Sequence, residues 1–257
     1  MLFLQNGLMK KNKIYLLLMI TVESHYGISV LRDDLLIGGT KSILMSSIDN
    51  DANIDEFVYA SPVYGGFQIA LSAYCKSVGK KATIFCSRRK ERYPNTVKCI
   101  EYGANIIEVY PGYLSVVEKR AREYCNGKKN VKKLVFGARS DENINFIAER
   151  TRRVIKQLGK DPDEIWIAIG SGTLISGILQ GVSENVKVIG IQVGKDFIPD
   201  EDYKNLTIIK YLKPFEYESK LKVDFPSMPN YDLKAFELCL NNNRNCGDKT
   251  VLFWNVL

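Results

Sequence analysis

Lys41 follows two glycines in the stretch Leu31-Arg32-Asp33-Asp34-Leu35-Leu36-Ile37-Gly38-Gly39-Thr40-Lys41-Ser42, between a strand-like run and a helix-like run. Glycine lets backbone come close to a ligand, and a lysine amine withdrawn from water gives up its proton more readily. That is the setting of a Schiff-base lysine. The same residues also suit an ordinary turn with a solvated lysine, and the stretch alone leaves both readings open. A second constellation, Gly170-Ser171-Gly172-Thr173, joins an apolar run to a helix-like one. There backbone N–H groups, the positive end of a helix and two hydroxyls converge, which suits a phosphate; a plain glycine turn is the other reading. Neither the G-x-x-x-x-G-K-[ST] nucleotide loop nor the G-x-G-x-x-G dinucleotide fingerprint occurs.

Metal chemistry finds little support. The six cysteines, Cys75, Cys86, Cys99, Cys125, Cys239 and Cys246, include no C-x-x-C pair, and His25 is the only histidine. Reduced, largely buried thiols and a cytoplasmic location are expected. The formal charge of +7 favours anionic ligands in general. Much of the excess, however, sits in pairs such as Lys128-Lys129, Lys132-Lys133 and Arg152-Arg153 that suit solvated faces. With 257 residues, 46% of them hydrophobic and 25% charged, the chain has the balance of a soluble globular protein of one large domain or two small ones. Lys10, Lys11 and Lys13 precede an apolar run, but it is too short to span a bilayer and no small-residue cleavage site follows. No membrane partner is expected, and Ile14 to Val22 reads as a strand or core segment.

The elements that must position these groups alternate. Strands are expected at Glu56–Ala60, Ala82–Cys86, Asn105–Val109, Lys133–Phe136, Glu164–Ile169 and Val186–Val193. Between them the periodicity predicts helices at Ser42–Ile48, Phe67–Val78, Asn95–Tyr102, Leu114–Tyr124, Glu142–Leu158 and Leu174–Val182, several of them stopped by glycine. Such alternation implies α/β architecture with parallel-rich twisted sheets flanked by helices, and ligands at the carboxyl ends of the strands. The tail reads as loop from Lys213 to Asn230, then a helix over Tyr231–Asn241, an exposed Asn241-Asn242-Asn243 turn and a last strand at Thr250–Val256.

Taken together these stretches resemble the fold type II pyridoxal-phosphate enzymes, especially the branch of 1-aminocyclopropane-1-carboxylate deaminase and D-cysteine desulfhydrase. Four segments carry the likeness in the family's order. Val30 to Lys41 is similar to the family's stretch that ends in the aldimine-forming lysine. Phe57 to Gly79 is similar to its strand, substrate-carboxylate loop and helix. Ile165 to Gly177 resembles its phosphate cup, and Pro229 to Ala235 with Val251 to Asn255 resembles the segments that complete the pocket. The resemblance implies pyridoxal 5′-phosphate as cofactor, held by Lys41, Gly170, Ser171, Gly172, Thr173 and Asn255. It implies Lys41 and Tyr231 as catalytic residues, with Tyr231 packing on the ring or assisting proton transfer, and Ser61, Tyr64, Gly65, Gly66 and Gln68 as substrate-binding. Three positions depart from the pattern. Gly65-Gly66 stands for a Ser-Asn pair, Thr40 for the usual asparagine before the lysine, and Val256 for the threonine that faces the pyridine nitrogen.

The resulting expectation is a fold type II enzyme with a large cofactor-binding domain, 1–48 with 156–257, and a small α/β domain, 49–155. It would act as a lyase or deaminase on a small amino acid through a Lys41 aldimine, as a homodimer. Two other readings stand beside it. Gly65-Gly66 opens the carboxylate loop, and Arg88-Arg89-Lys90 with Arg92 and Tyr93 makes a basic, aromatic patch, so the amine could be carried on a nucleotide or nucleic acid. Alternatively, loss of hydrogen-bonding groups at Val256 and the loop would leave a non-catalytic cofactor-binding protein.

Overall fold

The computed structural model describes residues 19–194, 196–243 and 248–257. The strands are β1 (Val22–His25), β2 (Ile28–Arg32), β3 (Glu56–Ala60), β4 (Lys81–Ser87), β5 (Asn105–Val109), β6 (Val131–Leu134), β7 (Glu164–Ile169), β8 (Lys187–Gln192), β9 (Leu206–Lys210) and β10 (Val251–Asn255). The α-helices are α1 (Met45–Ile48), α2 (Phe67–Val78), α3 (Pro94–Glu101), α4 (Leu114–Cys125), α5 (Asp141–Leu158), α6 (Thr173–Gly181) and α7 (Asp232–Asn243). The alternation read from the sequence is therefore present, as parallel α/β sheets flanked by helices. The chain forms two compact units, one of Leu36–Ala138 and one joining the described part of Leu17–Leu35 to Arg139–Leu257. The crossings fall at Leu36 and Arg139, where the sequence reading drew them at 49 and 156. The later crossing follows from α5, which packs along its length on α6 and so lies wholly in the second unit. Gly177 and Gly181 permit that packing, since a Cβ on either would run into Ile147 or Thr151 of α5.

In the first unit four parallel strands lie in the order β5-β4-β3-β6. The chain runs outward from β3 through β4 to β5 and then returns to the other side of β3, so the order reverses between β3 and β6. Ligands in open α/β sheets bind in the crevice at such a reversal, beyond the carboxyl ends of the strands. The segment leaving β3 there is 61–66. Strand β6 lies two residues before the expected Lys133–Phe136, because Leu134 pairs with Tyr59 and Phe136–Ala138 turns into a 3₁₀ segment with Gly137 at φ 71°.

The second unit has six strands in the order β1-β2-β10-β7-β8-β9, with only β1 antiparallel. Here the reversal falls between β7 and β10, and the segments leaving those strands are 170–173 and 256–257. Trp166, Ala168, Ile189, Ile191, Val251 and Phe253 bury one face of the sheet against Ala235, Phe236 and Cys239 of α7. Because β7 and β10 are buried throughout, they read as unbroken apolar runs rather than alternating ones.

Several elements differ from the sequence reading. Most of Ile14 to Val22 lies outside the described residues, and the first strand begins at Val22. It pairs with β2 through a two-residue turn in which Tyr26 and Gly27 have φ of 55° and 79°, the geometry that suits the twist of a hairpin. Gly39–Leu44 is a 3₁₀ segment and only Met45–Ile48 is α-helical, where one helix over Ser42–Ile48 was expected. Asn241 to Asn243 continue α7 instead of forming a turn, with the Asn242 and Asn243 amides donating to the carbonyls of Leu238 and Cys239.

Candidate active site

Lys41 lies in the 3₁₀ segment Gly39–Leu44, which Gly38 precedes; the φ values of Gly38 and Gly39 are 82° and 73°. The glycine at 38 is required by the protein itself. A Cβ there would overlap the backbone of Ala70, so the turn packs directly on α2. That packing carries the Lys41 amine to 5.7 Å from the centre of the Phe67 ring. The residue as a whole is half-buried, whereas its amine is withdrawn from water, and the lost hydration draws its pKa from 10.5 down to about 8. Ser42, beside it, has a buried hydroxyl without a partner among the described residues.

The loop after β3 is built around one carbonyl. Ser61 Oγ, Gly65 N and Gln68 Nε2 all donate to Pro62 O, at 2.9, 2.9 and 3.3 Å, and Gln68 Nε2 also donates to Val63 O at 3.1 Å. Ser61 and Gln68, expected to face a substrate, thus hold the loop's own backbone. Gln68 keeps one buried oxygen, Oε1, without a partner among the described residues. Gly65 suits this tightness, since a Cβ would come within 3.0 Å of Ser61 Oγ and 3.2 Å of Pro62 O. Tyr64 is braced from outside: Asn95 Nδ2 donates to its carbonyl at 3.0 Å and the Tyr93 ring meets its ring at 4.3 Å.

In the second unit the turn 170–173 leaves β7 and enters α6, with Gly172 at φ 83° immediately before the first helical residue. The first turn of a helix has N–H groups without intrahelical acceptors, and these face the space beyond β7. Ser171 Oγ and Thr173 Oγ1 stand 3.2 Å apart at its mouth. Tyr231 packs against Gly170, where a Cβ would lie 2.8 Å from its hydroxyl, and it donates to Ala168 O at 3.1 Å. Burial raises the Tyr231 pKa, so the phenol keeps its proton. Asn255 is fully buried, and its amide is committed to the neighbouring loop: Oδ1 accepts from Ser227 Oγ and Nδ2 donates to Pro226 O, both at 2.8 Å.

One residue that sequence reasoning passed over is Asp232. It is fully buried, Oδ2 accepts from the Leu257 N–H at 3.0 Å, and Oδ1 has no partner among the described residues. Burial pushes its pKa well above 3.8, backbone hydrogen bonds from Val256 and Leu257 oppose the shift, and the charges of Asp34 and Asp33 reinforce it. Burial thus favours the protonated form of this carboxyl more than water would. A single acidic residue at a helix start is an ordinary sequence feature, so only the burial reveals it. Near the chain end, then, the Val256 side chain is apolar, but a buried carboxyl stands next to its backbone.

An amine stripped of hydration suits a carbonyl group, and a glycine turn at the reversal of a parallel sheet suits a phosphate. The class these features define is that of enzymes working through a phosphorylated aldehyde. The chain belongs to the pyridoxal-phosphate dependent enzyme family, whose model matches residues 42–204, beginning one residue after Lys41. Its cofactor is pyridoxal 5′-phosphate. No curated protein sequence matches the chain. Among solved structures it is similar to an ACC deaminase homologue, with 15% identity, a TM-score of 0.77 and coverage of 92% of this chain and 88% of that one. A hydrogen sulfide-producing enzyme from Fusobacterium nucleatum is similar at 14% identity and a TM-score of 0.70, covering 95% of this chain and 96% of that one. An O-acetylserine dependent cystathionine beta-synthase from Helicobacter pylori is similar at 16% identity and a TM-score of 0.69, covering 92% and 91%. These likenesses establish the fold type II architecture. Among the described residues no helix is long and apolar enough to cross a membrane.

Proposed function

We propose that the chain catalyses a lyase- or deaminase-type reaction on a small amino acid, with Lys41 as the residue that holds the cofactor covalently. The observation that carries this reading is the Lys41 amine, whose pKa of about 8 leaves a usable neutral fraction near physiological pH. Pyridoxal 5′-phosphate supplies an electron sink for the charge left when a bond to the substrate Cα breaks. The neutral Lys41 Nζ then takes up the proton from that carbon. Gly170, Ser171, Gly172 and Thr173 bind the phosphate through backbone N–H groups and hydroxyls. Tyr231, whose hydroxyl is already donated to Ala168 O, serves by packing rather than by moving a proton. Asp232, hydrogen-bonded to the backbone beside Val256, would offer the cofactor ring a polar partner where the Val256 side chain has no hydrogen-bonding group.

The family membership and the solved structures, whose descriptions name a deaminase homologue, a sulfide-producing enzyme and an O-acetylserine dependent synthase, support an amino-acid substrate. The substrate α-carboxylate is assigned to the loop 61–66 through the backbone N–H of Gly66, since that of Gly65 is spent on Pro62 O. Borohydride reduction of the cofactor-loaded protein followed by peptide mapping tests the anchor. The label is expected on Lys41; a folded, loaded protein labelled elsewhere would refute the assignment.

A second reading keeps the cofactor and enlarges the substrate. The Tyr64–Tyr93 contact ties the loop 61–66 to the exposed basic segment of Arg88, Arg89 and Lys90, which favours an amine attached to a phosphate-bearing group such as a nucleotide. Turnover of free amino acids that is indifferent to added nucleotide would remove it.

A further inference from the structure

We propose that Arg139 is a further positioning residue for the cofactor phosphate, and that Asp200 sets how much of its charge reaches the phosphate turn. The inference rests on the reading of 170–173 as that turn. Ser176 lies one helical step beyond it: its N–H donates to Gly172 O at 3.0 Å, and it shares a face of α6 with Thr173, about 4.5 Å further along the axis. Arg139 Nη1 donates to Ser176 Oγ at 3.2 Å, so a guanidinium stands within one turn of the phosphate-binding N–H groups.

The other side of that guanidinium is held by the loop after β8. Arg139 Nη2 is ion-paired with Asp200, whose side chain is 67% exposed against 30% for Arg139. The same loop lies over the turn, because the Phe197 ring occupies the space a Cβ on Gly172 would need. Gln192 fixes the base of the loop, donating from Nε2 to Asp196 and accepting from Phe197 N at 3.4 Å. Gly172, Phe197, Asp200, Arg139 and Ser176 thus close a circuit around the start of α6.

Within this circuit the two partners of Arg139 act differently. Asp200 is largely in water, where its carboxylate offsets part but not all of the guanidinium charge. Ser176 is 6% exposed, so the guanidinium edge that reaches it points along the buried face of the helix. A cation placed there adds to the helix field on a dianion, and it does so only for a ligand that carries the phosphate. A bridge that merely pinned the loop would affect phosphorylated and unphosphorylated ligands alike.

The test is the ratio of the dissociation constants of pyridoxal and pyridoxal 5′-phosphate for the full chain, read from the visible absorbance of the bound ligand. Arg139→Gln is expected to lower the wild-type ratio by about tenfold through weaker binding of the phosphate form, with pyridoxal unchanged. Arg139→Lys, which keeps the charge, should restore most of it. Asp200→Asn should raise the ratio, by about threefold, since it releases the guanidinium from its counter-charge. Should Arg139→Gln perturb folding and weaken both ligands, the Asp200→Asn ratio decides, and a ratio that stays level or falls overturns the proposal. An Arg139→Gln ratio equal to wild type also overturns it while leaving the phosphate turn intact. A wild-type chain with no preference for the phosphate form overturns both.

Discussion

The pKa of Lys41 makes a prediction that can be followed quantitatively. At pH 7 an amine with a pKa of about 8 is roughly 9% neutral, whereas one at 10.5 is roughly 0.03% neutral, a ratio of about 300. Only the neutral amine attacks an aldehyde. When cofactor is mixed with the protein in excess, the second-order rate of band formation should therefore rise about tenfold per pH unit below pH 8 and level off just above it. N-α-acetyl-lysine, run in the same buffers, corrects for ionisation of the cofactor and should keep rising towards pH 10. Lys41→Ala should abolish the saturating phase, and Lys41→Arg should do the same, because guanidinium is never neutral in this range. The same shift has a stability signature. Between about pH 8 and 10.5 the unfolded chain binds this proton more tightly than the folded one, so cofactor-free protein gains stability with rising pH there. Lys41→Met removes that gain. A rate profile that climbs without a break to pH 10, in protein that does form the band, would refute the desolvated amine.

Two further outcomes follow from buried groups of the second unit. Arg150 is fully buried and ion-paired through Nη2 and Nε with Asp33, which also accepts from Trp254 Nε1 at 2.9 Å, while Nη2 donates to Met19 O at 3.0 Å. Arg150→Met leaves the Asp33 carboxylate buried without its cation and should cost about 3–5 kcal/mol in urea unfolding, with part recovered by adding Asp33→Asn; a loss under about 1 kcal/mol would contradict the role assigned to this pair. For Asp232, a folded-state pKa raised above the unfolded 3.8 means that stability is greatest below the unfolded value and falls as pH rises towards the folded one. Asp232→Asn should flatten that fall at acid to neutral pH and alter the absorbance of the bound cofactor. An unchanged stability profile would show that burial does not raise this pKa.

Much of the architecture was legible because the strands buried on both faces, such as Glu164–Ile169, carry unbroken apolar runs that glycine stops separate from periodic helices. Phe67–Val78 and its terminating Gly79 have the bounds the pattern predicts. Two strands escaped that logic. Val22–His25 is polar and mostly half-buried, and Leu206–Lys210 is an edge strand open to water on most positions, so neither shows a core-facing pattern. The site was legible by residue type but less so by cause. Gly38 was read as room for a ligand and proves to be room for Ala70, and Ser61 and Gln68 face inward to their own loop. Such uses depend on which neighbour the fold brings up, and local spacing carries no trace of it. Asp232 is the extreme case, an acid whose importance comes entirely from being buried.

The central claim, a cofactor held at Lys41 for chemistry on a small amino acid, is tested most directly by titrating the loaded protein with a panel of free amino acids and reading its visible spectrum. At least one small amino acid should displace the band reversibly and yield a keto acid, ammonia or sulfide, and the displacement should vanish in Lys41→Ala. A spectrum that no amino acid moves, in protein whose cofactor borohydride fixes to Lys41, would contradict it.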